Sequence, residues 1–425
     1  MRDVRRARVV PSASRLTASL RSVGYEPSTA VADLVDNSVS AGATEIAVVL
    51  SHDGPDSFLR VIDNGHGMGR RELKEAMRFG TVRKYDDPDL GRFGLGMKTA
   101  ALSMGRRLTV ASSASLTSPR FHTWKLDLSH IEEADEWEIL NAYRSPAWHY
   151  AREQFPGSWR TGTVVMVEDL DRLLPGSSST NGYGRRRMDT AARQIRGHLG
   201  MVFHRFLERK RPLCLTVNGE QVLPWNPFAP GEEHLAELDG RSFRLDEGGV
   251  AGEVTMRRFI LPNREDFSSP EQFDSLGRGG SWNRLQGLYI YRADRMIQSG
   301  GWCGLRGIDE HLKMARASID FGVGLDGPFE VDIAKKRVRI PQSIRKDLKE
   351  VVDELCRRAD ERYRHRDRGV GDNGSLPEVS GRNNYGDISS ALISAASETG
   401  TVSAFGKIMR QVRQTRPGVA EALNW

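Results

Sequence analysis

Three short polar segments stand out for the chemistry that their residue types and spacing allow. The first is Asp33-Leu34-Val35-Asp36-Asn37-Ser38, followed by Ala41. It lies in a stretch with a helical pattern, where a spacing of four puts Asp33 and Asn37 on one face. A carboxylate and a carboxamide one turn apart suit the orientation of a water and the donation of one oxygen to Mg²⁺, which takes few protein oxygens besides phosphates and waters. The same residues serve equally as a solvated acidic helix face. The second segment is Asp63-Asn64-Gly65-His66-Gly67-Met68, directly after a strand-like run. An aspartate at a strand end can accept a hydrogen bond from an exocyclic amine, and flanking glycines let the backbone approach a flat base. Asn-Gly is also the strongest two-residue turn signal, so a plain turn is the competing reading. The third is Gly91-Arg92-Phe93-Gly94-Leu95-Gly96-Met97-Lys98-Thr99, a glycine-rich loop that opens a helix. Backbone N–H groups at a helix start attract anions. The spacing is neither GxxxxGK[ST] nor GxGxxG, and alone it reads as an ordinary loop.

The elements that position these segments follow from periodicity. Residues 12–23 predict a short amphipathic helix with Leu16, Leu20 and Val23 on its apolar face. Ser28 or Thr29 caps a second helix over 30–40, and strands follow over 45–50 and 58–62. A helix over 70–79, a polar loop over 84–96, a helix over 97–104 and strands near 107–112 and 162–167 complete a layered first domain. Pro175 to Gly184 is the clearest internal loop. A helix over 187–209, strands over 213–217, 287–291 and 329–333, and a charged helix over 343–368 make a second region. Residues 369–387 have linker composition, and a basic helical segment over 406–414 follows. The domain reading is 1–175, 185–368 and a tail of 369–425.

Composition narrows the field. Of 425 residues, 38% are apolar and 28% charged, which suits an ordinary globular chain of two or three domains. No run approaches the roughly 18 apolar residues of a spanning helix, so a membrane partner is not expected. The basic stretch from Arg2 to Arg8 is followed by no apolar core, so a secretory leader is not expected either. Three cysteines, none in a CxxC spacing, exclude a disulfide scaffold and a cysteine-rich zinc ribbon and suit the cytoplasm. A net charge of +6 is compatible with a nucleotide or nucleic-acid partner. Arg185-Arg186-Arg187 and the stretch Arg357 to Arg368 serve either a phosphate backbone or solvated helix faces.

Taken together and in this order, the three segments resemble the GHKL superfamily of ATP-binding domains, with the MORC-like branch the best match. The segment Phe79-Gly80-Thr81-Val82-Arg83-Lys84 is similar to that branch's lid, and Gly162-Thr163 to a Gly-Thr whose hydroxyl supports the adenine-binding aspartate. Tyr289 to Trp302 and Glu330 to Val338 resemble its transducer domain. The resemblance implies an α+β Bergerat sandwich, helices on a mixed sheet, followed by a smaller S5-like transducer domain. It implies ATP and Mg²⁺ as ligands, with Asn37 on the metal, Asp63 on the adenine amine, and Ala41, Gly65, Gly67 and Met68 around the base. The backbone of Phe93, Gly94, Leu95, Gly96, Met97, Lys98 and Thr99 would wrap the phosphates, Lys84 would contact them from the lid, and Thr163 would support Asp63. Asp33 would be the general base, and Lys335, with Lys336 beside it, would reach the γ-phosphate. Asp33 stands where many members have Glu, and a shift of an ångström at such a position costs about 10²-fold in rate. The expected function is therefore slow ATP hydrolysis coupled to homodimerisation, with DNA as a partner. The alternative is a nucleotide-dependent interaction switch that hardly hydrolyses.

Overall fold

Alternating apolar residues build two sheets, each with its own helical cover. In the computed structural model the described residues are 11–22, 25–80, 95–117, 120–153, 155, 158–176, 182–280, 282–331, 338–369 and 409. Strands β1 (Glu45–Ser51) and β2 (Phe58–Asp63) form an antiparallel pair in which Ile46 faces Asp63 across the ladder. With β3 (Arg107–Ser113), β4 (His122–Asp127), β5 (Leu140–Asn141), β6 (Gly162–Glu168), β7 (Cys214–Val217) and β8 (Glu220–Gln221), they make a sheet of order β5-β4-β3-β6-β2-β1-β7-β8. Only β1 and β7 run parallel among these pairings. Thus β7 and β8, from the region read as a second domain, complete the first sheet.

Helices α1 (Ala13–Arg21), α2 (Pro27–Ser40), α3 (Arg70–Ala76), α4 (Gly96–Leu102), α5 (Leu128–Ala134), α6 (Pro146–Glu153), α7 (Gly182–Val202) and α8 (His204–Leu207) accompany this sheet. Leu34 and Val35 of α2, Ala100 and Ala101 of α4, and Ile195 and Leu199 of α7 share one core with Val48, Leu59 and Val110 of the strands. Ala151 of α6 belongs to a smaller apolar group with Ile62, Ala111 and Val164. Two expectations shift here. Helix α2 starts at Pro27, whose missing N–H costs nothing in a first turn, so the helix begins before Ser28 and Thr29 instead of being capped by them. On α1 the buried face is Ala13, Thr17 and Arg21, while Leu16 is 40% exposed. Arg21 decides that orientation, because its guanidinium reaches the Leu102 carbonyl at 2.8 Å and Asp171 at 2.6 Å.

A second sheet, of order β12-β11-β13-β10-β9, is built from β9 (Ala236–Glu247), β10 (Val250–Ile260), β11 (Gly287–Arg292), β12 (Arg295–Gln298) and β13 (Ala315–Phe321). Around it lie α9 (Pro270–Leu276), α10 (Trp282–Leu285) and α11 (Gln342–Gly369). The long β9–β10 hairpin turns through Gly248 and Gly249, both in the left-handed region, and escaped the sequence reading because its residues alternate around charged positions. The helix expected over 187–209 is broken at Phe203 into α7 and α8. The strand expected over 329–333 is a turn where it is described; Phe329 is apolar because it stacks on Phe321 at 3.9 Å in the core. The fold is therefore α+β, as expected: an eight-stranded mixed sheet with helices, and a second, five-stranded sheet. Residues up to Arg364 form one compact unit; in the unit from His365 to Trp425, the described residues are the end of α11 and Met409. Among the described residues, no helix is long and apolar enough to cross a membrane.

The second sheet contains a buried ion pair that tests its packing. Arg292 donates from Nε and Nη2 to Asp326 at 2.5 and 2.7 Å, with both side chains under 5% exposed. Asp326→Ala leaves the guanidinium buried without its carboxylate and should cost about 3–5 kcal/mol, read as a lowered urea midpoint with an unchanged slope. A midpoint equal to the parent's would mean that the pair is not what orders this sheet.

Candidate nucleotide site

The site is built on the buried end of α2 and the C-terminal end of β2. Nearly every side chain of α2 is buried, from Thr29 to Asp36 and again at Ser38, whereas Asn37 is exposed. The Asn37 amide nitrogen donates to the Asp33 carbonyl at 3.0 Å. Its oxygen is thereby the atom offered outward, which fits a cation needing one protein ligand.

Asp63 ends β2 and is 4% exposed. Its Oδ2 accepts from the Ser38 hydroxyl at 2.8 Å, and its Oδ1 from the Gly65 N–H at 3.0 Å. Burial pushes the Asp63 carboxyl up, opposed by these two bonds, by the Thr163 backbone N–H and by the charge of His66. The expected support from the Thr163 hydroxyl takes a different form: that hydroxyl pairs with Ser112 at 2.9 Å, and the Thr163 contact to Asp63 is through its backbone. Ser112 also accepts the Met68 N–H at 2.8 Å, so β3 and the turn after β2 are tied together at this point.

The glycines around Asp63 are required by contact. A Cβ on Gly65 would come within 2.7 Å of the Ala41 Cβ and 3.0 Å of Asp63 Oδ1. Gly67 has φ +66°, and a Cβ there would run into the Ser113 backbone. Ala41 closes α2 and takes the His66 N–H on its carbonyl at 2.9 Å, holding the turn against the helix end. The competing reading, a plain Asn-Gly turn, thus gives way to a turn packed against the end of α2 and against β3.

At α4 the chain from Leu95 to Thr99 is described, and Lys84, Phe93, Gly94 and Lys335 lie outside the described residues. Leu95 precedes the helix, and Gly96 and Met97 open it with no side-chain cap. The Thr99 hydroxyl turns back onto the Leu95 carbonyl at 3.0 Å. Lys98 points inward: it is 2% exposed and donates to the Ala76 carbonyl of α3 at 2.6 Å. Its part in the loop is to anchor α4 on α3.

Asp33 is also turned inward, at 2% exposure, rather than sharing the exposed face of Asn37. The Tyr25 hydroxyl donates to its Oδ2 at 2.8 Å, and the Arg295 guanidinium of β12 stands 3.6 Å from its Oδ1. Arg295 Nε also reaches both oxygens of Asp36 at 3.1 Å. Tyr25 and Arg295 were not legible as site residues: Arg295 is 259 positions from Asp36, and no local spacing connects them.

Burial brings the Lys98 ammonium from 10.5 down to about 8, with Glu75 opposing the shift. A base lowered in the folded state loses its proton first there, so between about pH 8 and 10.5 the unfolded chain binds more protons and stability rises. Lys98→Met removes that titration and should flatten the rise when urea midpoints are compared across this window. Parallel pH profiles for the two proteins would contradict the burial of a charged Lys98.

Comparison with known proteins supplies relatives for part of this chain. Residues 25–153 match the family described as histidine kinase-, DNA gyrase B-, and HSP90-like ATPase. The chain is 35% identical over 186 residues to ATPase morc-1 of Caenorhabditis elegans, covering 36% of this chain and 22% of that protein. It is 30% identical over 156 residues to the DNA mismatch repair protein MutL of Thermosipho africanus, covering 35% of this chain and 27% of the relative. A MutL of Shewanella halifaxensis aligns at 24% identity over 331 residues, which is 75% of this chain and 46% of the relative. The chain therefore spans less than half the length of these relatives. The match contains α2, Asp63 and its glycines, and the start of α4, and the longest alignment runs on beyond the first sheet. Residues 25–153 thus carry a domain of the histidine kinase-, DNA gyrase B-, and HSP90-like ATPase type, and the chain around it is similar in part to a MORC ATPase and to MutL proteins.

Proposed function

We propose that this chain binds ATP with Mg²⁺ around Asp63 and Asn37, hydrolyses it slowly, and pairs with a second copy while the nucleotide is held, in association with DNA in the cytoplasm. The observation that carries the reading is Asp63, a carboxylate buried at a strand end with glycines on both sides and a hydrogen-bonded shell from three elements. Such a group can accept from an exocyclic amine, and the close-packed Gly65 and Gly67 hold the backbone beside it. Asn37 offers one outward oxygen, which fits Mg²⁺ when ATP phosphates supply further ligands. The backbone from Phe93 to Thr99, with Lys84, would hold the phosphates, and Lys335 would approach the γ-phosphate from the region 185–368. Asp33 would take the proton of the attacking water. In this reading residues 1–175, completed by α7, β7 and β8, make the nucleotide domain, and 369–425 are a linker and tail. DNA as a partner draws on the relatives named for DNA mismatch repair and on the net charge of +6. Pairing of two copies is what the family resemblance implies.

A specific observation favours a second reading. Asp33 is buried and engaged by Tyr25 and Arg295, and it is one methylene shorter than Glu, which suits a switch that binds ATP and hardly hydrolyses it. Steady-state phosphate release separates the two, with Asp33→Ala as control. Hydrolysis predicts turnover in the parent that Asp33→Ala loses by at least about 10²-fold while keeping its ATP affinity. Equal rates in both proteins would remove Asp33 from the chemistry.

Two binding measurements test the pocket itself. Asp63→Asn keeps the size of the side chain but replaces an acceptor with a donor, so ATP affinity should fall by about 2–4 kcal/mol with the fold intact by circular dichroism. Parental affinity in this variant would end the nucleotide assignment. ATP affinity of the parent should also weaken when EDTA removes Mg²⁺, and Asn37→Ala should lose that dependence.

A further inference from the structure

Arg295 occupies a position that the nucleotide site does not explain. It is the first residue of β12, in the second sheet, yet its side chain is 2% exposed and ends against α2 of the first sheet layer. The hairpin that presents it turns through Ala293 and Asp294, at φ 48° and 67°. Two consecutive left-handed residues make the two-residue turn that matches strand twist, but Asn-Gly is the usual occupant, and Ala293 adopts it at a steric cost. The tip is then held by charge. Asp294 meets Arg209 at 2.8 Å and Arg205 at 3.3 Å, and the Ala293 N–H reaches the Phe321 carbonyl at 3.1 Å. Arg205 is fixed in turn by Asp320 and lies over the Tyr291 ring at 3.5 Å. A turn held from several sides leaves the Arg295 side chain little freedom at its root.

The far end is equally defined. Nε is centred between the two Asp36 oxygens at 3.1 Å each, which anchors the fork and directs Nη2 to Asp33 at 3.6 Å. Asp33 Oδ2 meanwhile takes the Tyr25 hydroxyl at 2.8 Å. The carboxylate is thus held from two directions, by a phenol from before α2 and by a cation from the second sheet.

We infer that Arg295 is a positioning residue for ATP hydrolysis: anchored on Asp36, it holds the Asp33 carboxylate, so that turnover depends on the placement of the second sheet while nucleotide binding does not. This rests on Asp33 being the base proposed above. The bonds of Asp63 and Asn37 to the Ser38 hydroxyl, to the Gly65 N–H and to the Asp33 carbonyl come from α2 and the turn after β2 rather than from β12. A loss through Arg295 therefore falls on the rate constant rather than on affinity. Guanidinium geometry matters as well, since a lysine carries the charge at one point and cannot span two carboxylates as the planar fork does.

The test compares the full chain with Arg295→Met and Arg295→Lys, reading kcat from phosphate release and ATP affinity from equilibrium binding. Arg295→Met should lower kcat by about 10- to 100-fold, in line with an ångström-scale displacement of a reacting group, and change ATP affinity by less than about threefold. Arg295→Lys should fall between it and the parent. A kcat within twofold of the parent in folded Arg295→Met, or a faster one, overturns the inference. So does an affinity loss that matches the loss of rate, which is the mark of a merely structural arginine. Should the methionine variant fail to fold, the lysine variant decides: lowered kcat with kept affinity supports the role, and parental kcat overturns it. A parent that binds ATP without turning it over overturns the hydrolytic reading and this inference together. A parent that turns over at the same rate as Arg295→Met overturns this inference alone.

Discussion

Helix α2 has almost no solvent face, and that single constraint organises the protein. A helix carrying Asp33 and Asp36 can be buried only if both carboxylates find partners, since an uncompensated buried charge costs several kcal/mol. The partners come from outside the helix. Tyr25 arrives from the segment before it, and Arg295 arrives from the second sheet. Burying α2 thus obliges the first and second sheets to meet at one fixed place, and the ion pairs of Asp294 with α8 and its neighbouring Arg209 secure the same hairpin. The residue left over, Asn37, is the one that faces solvent.

Asp63 follows the same rule at smaller scale. Its desolvation is offset by a hydroxyl from α2, a backbone N–H from the turn after β2 and another from β6. Each of those donors belongs to a different element, so the carboxylate is fixed in place by the arrangement of the sheet rather than by its own turn. The shell also leaves Asp63 without a compensating cation, apart from the weak influence of His66. A group held in this way is a hydrogen-bonding partner for a neutral amine, whereas a carboxylate clamped by a guanidinium, like Asp36, is committed to structure. Two buried aspartates thus take different roles from different neighbours.

The glycine positions show why the motif has to be read as a surface. Gly65 lies flat against Ala41, and Gly67 takes a left-handed turn beneath the Ser113 backbone. Gly162, at the start of β6, would drive a Cβ into the Asp63 backbone. Gly65 and Gly162 therefore crowd one aspartate from two elements, and Gly67 lets the turn pass the Ser113 backbone. Lys98 makes the contrasting point. A lysine in a glycine-rich loop suggests a phosphate contact, but its side chain is spent on the Ala76 carbonyl of α3.

What the sequence determined by itself is whatever local spacing encodes. The helix with Asp33 and Asn37, the strand ending in Asp63 and the helix opening at Gly96 are each written in consecutive residues, and their order is that of a GHKL domain. Periodicity misled where a polar residue made the deciding contact, as on α1, where Arg21 turns inward and Leu16 outward. It failed again where apolar residues served stacking instead of a strand, as at Phe329. Tertiary structure alone decided that β7 and β8 complete the first sheet, that Thr163 supports Asp63 through its backbone, and that Arg295 meets Asp36 and Asp33. The physical reason is common to all three. Each depends on a pairing between residues far apart in the chain, whose partner is chosen by burial and charge once the layers have closed, and no short-range pattern records that choice.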